Sequence, residues 1–151
     1  MNKLMENYLL GEKKLIKNKV NCSNVYVNTS TFATKHNNFD GAFATNDLKK
    51  NDIVEWGNVR LLPEGFDGNN SPYVFTWSDE LPNKTWAMAS GCAAFYNTSI
   101  KEANVKMNRD FVNNTFVIVA LRDIKAGEEL LHTYKSLQWR TCFQDIKEIL
   151  N

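Results

Sequence analysis

The sequence predicts a compact domain of mainly β structure. Three observations carry this: short apolar pieces recur between Asn, Gly, Pro and Asp residues, helical periodicity is scarce, and one strand–turn–strand text occurs twice. In that repeat, Ala44-Thr-Asn-Asp47-Leu48-Lys49-Lys-Asn51-Asp52-Ile-Val54 matches Ala120, Asp123, Ile124, Lys125, Gly127, Glu128 and Leu130 in spacing and type. Asn51 and Gly127 stand at equivalent places. Both residue types tolerate positive φ, so each copy reads as a strand turning sharply into another strand.

The elements follow in chain order. Residues 1–24 read as a polar, basic arm with scattered Leu and Ile. Val25-Tyr26-Val27 is a strand, followed by a polar loop to Phe39. Ala42–Ala44 and Ile53–Trp56 flank the first turn, and Val59–Leu62 is a further strand stopped by Pro63. Gly65, Gly68, Asn69, Asn70 and Pro72 then mark loops around the apolar Tyr73–Trp77, so residues 63–83 read as an insert. Trp86–Phe95 is apolar and rich in small residues, which predicts a closely packed segment, helical at first. Val105–Met107 and Phe116–Ala120 pair as antiparallel strands through an Asn113-Asn114 turn. The body of the domain thus runs over 25–135. From Ser136 to Asn151 the text predicts a closing helix, with Trp139, Phe143, Ile146, Ile149 and Leu150 largely on one face.

With 151 residues the chain forms one domain, and 43% hydrophobic with 12% aromatic content argues against disorder. A net charge of +1 lacks the basic excess of a nucleic-acid binder. No run reaches membrane-spanning length, and the N-terminus lacks the apolar core of a signal peptide, so the expectation is a cytoplasmic protein. Cys22, Cys92 and Cys142 are widely spaced, and only His36 and His132 could join them. Neither a metal site nor a disulfide framework is expected. Oligomeric state leaves no mark in the sequence.

Three blocks stand in order: Gly41-Ala42-Phe43-Ala44 with Asp47-Leu48-Lys49; Phe95-Tyr96-Asn97-Thr98-Ser99 with Asn104; and Arg122-Asp-Ile-Lys-Ala-Gly-Glu128-Glu-Leu130 ending at Tyr134. On these the chain resembles SET-domain protein-lysine methyltransferases, most closely the compact kind found in large viruses. The resemblance implies small curved sheets around a C-terminal pseudoknot, a rare threaded connection that sets the second and third blocks side by side. It also implies S-adenosylmethionine in one cleft and a lysine of a protein or peptide substrate entering from the opposite face.

The resemblance assigns roles by residue. Tyr134, six residues after Glu128, is the catalytic tyrosine, whose phenol oxygen joins backbone carbonyls around a polarised methyl group. Asp40, Gly41, Ala42, Phe43, Tyr96, Asn97, Thr98, Tyr134 and Trp139 are the cofactor-binding set. Trp56 and His132 face the lysine channel, although a strand tryptophan more often belongs to a core and a packed histidine belongs to one equally. An aromatic channel and the nearby sulfonium lower the lysine's pKa, so no strong base is needed. The insert's Glu64, Asp67, Asp79 and Glu80, against Lys84, suit a basic segment around that lysine.

The chain departs from the family pattern at three places. Thr98 stands where the family usually has His, Phe39 replaces the first Gly of Gly-x-Gly, and His132 stands where Phe or Tyr tunes methyl number. These departures frame a rival reading, a catalytically idle SET-fold protein that binds a peptide or partner. A β-rich structural module also suits the composition but leaves the three ordered blocks unexplained.

Overall fold

The computed structural model describes residues 18–78, 85–135 and 140–143. These hold nine strands in three small sheets. β1 (Val25–Thr29) and β2 (Asp40–Ala44) form an antiparallel pair. Five strands make the largest sheet, in the order β4 (Phe75–Ser78), β5 (Thr85–Ala89), β3 (Ile53–Leu61), β8 (Thr115–Ala120), β7 (Val105–Asp110). β6 (Asn97–Thr98) and β9 (Leu131–His132) form a short parallel pair. That last pair sets the second and third sequence blocks side by side, as the resemblance implied.

Alternation explains the central sheet. Along β8, Phe116, Ile118 and Ala120 are buried while Thr115, Val117 and Val119 are half-buried, the two-residue period of a strand covered mainly on one face. β7 meets it in register from Val105↔Ala120 to Asp110↔Thr115, through a turn in which Asn114 takes φ 52°. The core gathers Val54, Tyr96, Phe116, Ile118, Ile124 and Leu130.

Two sequence expectations are corrected here. Ile53–Trp56 and Val59–Leu62 are not separate strands but one, β3, running to Leu61 straight through Gly57 and Asn58. Gly57 is no breaker. It is required by close packing, since a Cβ there would lie 2.3 Å from Ser90 Oγ and 2.6 Å from the Phe116 ring. The segment from Trp86 also does not begin as a helix: it is β5, pairing with β3 through Arg60↔Met88 and with β4 through Thr76↔Trp86. Helical character comes only afterwards, as a 3₁₀ turn over Ala93–Phe95 beyond Gly91 at φ +63°. Small residues here serve sheet packing, with Ala87 fully buried.

The twin turns pair with each other. Leu48 and Ile124 exchange backbone hydrogen bonds of 2.8 Å in both directions. Asn51 N–H donates to the Ala120 carbonyl, and Gly127 N–H to that of Ala44, each at 2.8 Å. Asp123 accepts from the Lys50 N–H and the Lys49 ammonium, while Asp47 accepts from the Ala126 N–H and the Lys125 ammonium. These donors, the backbone N–H first in each case, hold both carboxylates below the ordinary range. Asn51 (φ 73°) and Gly127 (φ 86°) both adopt the left-handed backbone that the sequence called for. The result is a local pseudo-twofold, each turn completing the other.

Of the terminal regions, Asn21 bridges to Trp56 at the start, and Thr141–Phe143 forms a single 3₁₀ turn at the end. The remainder of the expected arm and closing helix lies outside the described residues.

Candidate active site

The site is assembled where β6 meets β9. Thr98 pairs with His132 across this short parallel ladder, and Asn104 fastens its base: the Asn104 side chain donates to the Glu129 carbonyl (2.9 Å) and accepts from Leu131 N–H (2.8 Å). Tyr134 leaves β9 two residues later. Its backbone N–H donates to Thr98 Oγ1 at 3.0 Å, and its hydroxyl donates to the carbonyl of Tyr96. Thr98 therefore does specific work here, because its hydroxyl fixes the backbone of the tyrosine.

Burial lifts the Tyr134 phenol well above its ordinary pKa, so it stays protonated at neutral pH. The His132 ring stands edge-on to Tyr134 at 4.7 Å and to Tyr96 at 6.2 Å. His132 is buried, its Nε2 finds no partner among the described residues, and burial, helped by the Arg109 charge, pushes its pKa down to about 4. It is a neutral ring at neutral pH.

In front of His132 and Tyr134 opens a cavity of about 560 Å³, walled by the insert at Trp77, by Met107, Arg109 and Phe111 of the β7–β8 hairpin, and by Phe143 of the tail. Arg109 donates to the carbonyls of Thr76 (2.6 Å) and Trp77 (2.9 Å), tying hairpin to insert. The described acids of the insert do not supply the wall. Glu64 and Asp67 are exposed and absent from the lining, which instead includes Lys106, Arg109, Lys135 and Arg140. Asp79, Glu80 and Lys84 lie outside the described residues.

The tail is held to the insert by an arginine. The buried Arg140 donates to the carbonyls of Gly68 (3.0 Å) and Ser71, and its guanidinium lies 4.9 Å from the Trp86 ring and 4.5 Å from Phe143. Cys142 N–H adds a bond to the Asn69 carbonyl at 2.9 Å, and Phe143 rests against Tyr134 at 5.1 Å. Phe143 lines this end of the cavity, and the polar clasp of Arg140 holds it in place.

The remaining sequence-predicted residues divide into groups. Asp40, Gly41, Ala42 and Phe43 lie in β2, and Phe43 stacks on Tyr26 at 5.4 Å. Asn97 donates to Ser30 Oγ (3.2 Å), the Asp40 carbonyl (3.1 Å) and Glu129 Oε1 (3.0 Å). Glu129 also accepts from Ser30 (2.8 Å), from Thr31 N–H (2.9 Å) and from the Thr31 hydroxyl. Gly41 packs so tightly against it that a Cβ would come within 2.2 Å of Oε1. So Gly41 and Asn97 gather around one buried carboxylate, while Tyr96, Thr98, His132 and Tyr134 gather around another point. Trp56 joins neither group; it does not line the cavity, and its indole N–H donates to the Asn18 carbonyl at 3.1 Å. Trp139 lies outside the described residues.

Sequence reasoning missed Glu129, Arg140 and Glu55. Glu55 is fully buried in β3, accepting from the Tyr96 hydroxyl at 2.7 Å and from Cys92 N–H at 2.9 Å. Burial pushes its carboxyl up to about 7 against the pull of these two donors. The available signal was an acid inside the apolar run Ile53-Val-Glu-Trp56, where a charge is rarely buried without a partner.

Comparison with known proteins places this arrangement. The SET domain profile matches residues 40–135, nearly two-thirds of the chain. A search of curated protein sequences found no match. Among solved structures, a Plasmodium falciparum protein described as a histone methyltransferase matches at 22% identity and a TM-score of 0.55, over 74% of this chain and 92% of that one. A chain of the Chaetomium thermophilum Polycomb Repressive Complex 2, in an autoinhibited conformation bound to S-adenosylmethionine, matches at 19% identity and 0.56, over 82% of this chain. A Cryptosporidium SET protein matches at 19% and 0.52 over 74% of this chain. This chain spans only 16% of the Polycomb chain's length and 57% of the Cryptosporidium chain's. At these identities the likeness is one of fold.

Proposed function

The chain belongs to the SET-domain family, and from that premise we propose that it is a protein-lysine N-methyltransferase using S-adenosylmethionine. One observation carries the reading: the Tyr134 hydroxyl and the Tyr96 carbonyl converge where β6 and β9 pair. Because the hydroxyl donates its proton to that carbonyl, its lone pairs remain to accept. Two oxygens side by side suit weak C–H···O contacts to a positively polarised methyl group, so the residues present fit such a cofactor.

When bound, the cofactor supplies the methyl group activated on a sulfonium. Backbone and side-chain groups of Asp40–Phe43, Tyr96–Thr98, Tyr134 and Trp139 are assigned to hold it. The residues of this chain do the positioning. Tyr134 and Tyr96 present their oxygens, and the raised phenol pKa keeps Tyr134 a neutral hydroxyl rather than a base. His132, neutral and buried, adds no charge against an incoming amine. The aromatic wall of Trp77, Phe111 and Phe143 strips water from the lysine, which favours its neutral, nucleophilic form. Alignment of nucleophile and methyl group then supplies most of the catalysis. The cavity between insert, hairpin and tail is the assigned entry for the lysine of a protein substrate.

The test is incubation of the purified protein with isotope-labelled S-adenosylmethionine and a proteome, with modified residues read by mass spectrometry. Label on lysine side chains that disappears with Tyr134→Phe is the expected result. Cofactor binding without transfer to any protein would overturn the enzymatic reading in favour of a binding module.

A further inference from the structure

We propose that Glu55 is a positioning residue for methyl transfer, acting through Tyr96 on the oxygen pair at Tyr134. The proposal rests on the methyltransferase reading above. Glu55 does not line the cavity and its hydrogen bonds go to Tyr96 and Cys92, so it is no catalytic residue.

The argument begins with a placement that stability alone does not favour. A carboxylate fully buried on a central strand carries a desolvation penalty that an apolar side chain of similar volume would avoid. The surroundings are nevertheless built for it. Cys92 turns its backbone N–H onto Oε2, and residue 91 is a glycine at φ +63° whose Cβ would lie 2.3 Å from that same oxygen. The 3₁₀ turn Ala93–Phe95 then delivers Tyr96, with its hydroxyl donating to Oε1 at 2.7 Å.

Tyr96 is thereby held at both ends. Its phenol is pinned by Glu55, and its carbonyl receives the hydroxyl of Tyr134. At 1% exposure the ring has no room to swing, so a shift at the phenol is passed to the backbone. The chain of contacts runs from carboxylate to phenol to carbonyl to phenol, and the last two members are the oxygens assigned to the methyl group. Displacing reacting groups by a fraction of an ångström is enough to slow an aligned transfer without weakening ground-state binding.

The test uses the full chain and three changes: Glu55→Gln, Tyr96→Phe, and the paired Glu55→Leu with Tyr96→Phe. Glutamine offers one acceptor oxygen to two donors, so it breaks the tether in place. Each single variant is expected to lose kcat on the order of ten- to a hundredfold, with KM and the cofactor Kd within about twofold. The apolar pair is expected to regain thermal stability while kcat stays low. In a Tyr134→Phe background, Glu55→Gln should add less loss of kcat than it causes alone, because one of the two oxygens the tether aligns is already gone. Recovery of kcat together with stability in the apolar pair, or a full additional loss in the Tyr134→Phe background, would overturn the proposal. An inactive wild type would overturn the methyltransferase reading instead.

Discussion

Single atoms decide the site. Tyr134→Phe removes one positioned oxygen and leaves the ring packed between His132 and Phe143. It is expected to lower turnover ten- to a thousandfold, on the order of what one preorganised oxygen supplies, with the fold intact by circular dichroism. Thr98→Val leaves the Tyr134 N–H without its acceptor and should cost about 1 kcal/mol in denaturant unfolding. Unchanged stability in that variant would show that the backbone bond is replaceable. At His132 a larger, wholly apolar Phe should shift the ratio of mono-, di- and trimethyl-lysine at equal conversion, as read by mass spectrometry. That Thr98 and His132 lie side by side, with Tyr134 just beyond, was legible through the resemblance, which sets the second and third blocks together. Glu129 was not: beside Glu128, which forms a surface ion pair with Arg122, nothing local marks it as the carboxylate that turns inward.

The elements show where local text suffices and where it does not. Both turns of the repeat were legible because positive φ is a property of single residues, and Asn51 and Gly127 adopt it. That the turns would pair with each other is a tertiary fact; Asp47 and Ala126, bonded at 2.9 Å, are 79 residues apart. The misread segments fail for related reasons. Gly57 resembles a break until the Phe116 ring is placed beside it, and the alanines after Trp86 resemble a helix until β3 and β4 flank them. Arg140 belongs to this scale too, since its role is to join tail to insert. Arg140→Met keeps bulk against Trp86 and Phe143 but loses the bonds to Gly68 and Ser71, which should weaken the clasp by on the order of 2 kcal/mol. Faster amide exchange at Asn69 and Cys142, with the central sheet unchanged, is the expected measurement.

For the whole molecule, two buried groups set opposing pH dependences. Glu55, raised to about 7 from an ordinary 4.5, holds a proton in the folded state that the unfolded chain has lost. Its contribution is complete below about 4.5 and disappears as pH climbs to about 7. His132, lowered to about 4 from 6.5, contributes above 6.5 and loses that contribution as pH falls toward 4. Each contribution is on the order of 3 kcal/mol, and the windows overlap with opposite slopes. Wild-type melting temperature should therefore be nearly flat across the overlap. His132→Phe should make it fall as pH rises there, and Glu55→Gln should make it rise; identical slopes in all three proteins would refute the balance. The interlocked turns have a further consequence, for synthesis. Asp47 emerges from the ribosome well before Ala126, 79 residues further on, whose backbone N–H donates to it. The parallel pair β6–β9 waits on Leu131 and His132 in the same way. Contacts this distant close slowly, and a nascent chain lacking everything from Arg122 onward has its first turn open and its early strands uncovered. A premature stop shortly before Arg122 should therefore yield degradation or aggregation rather than a smaller stable domain.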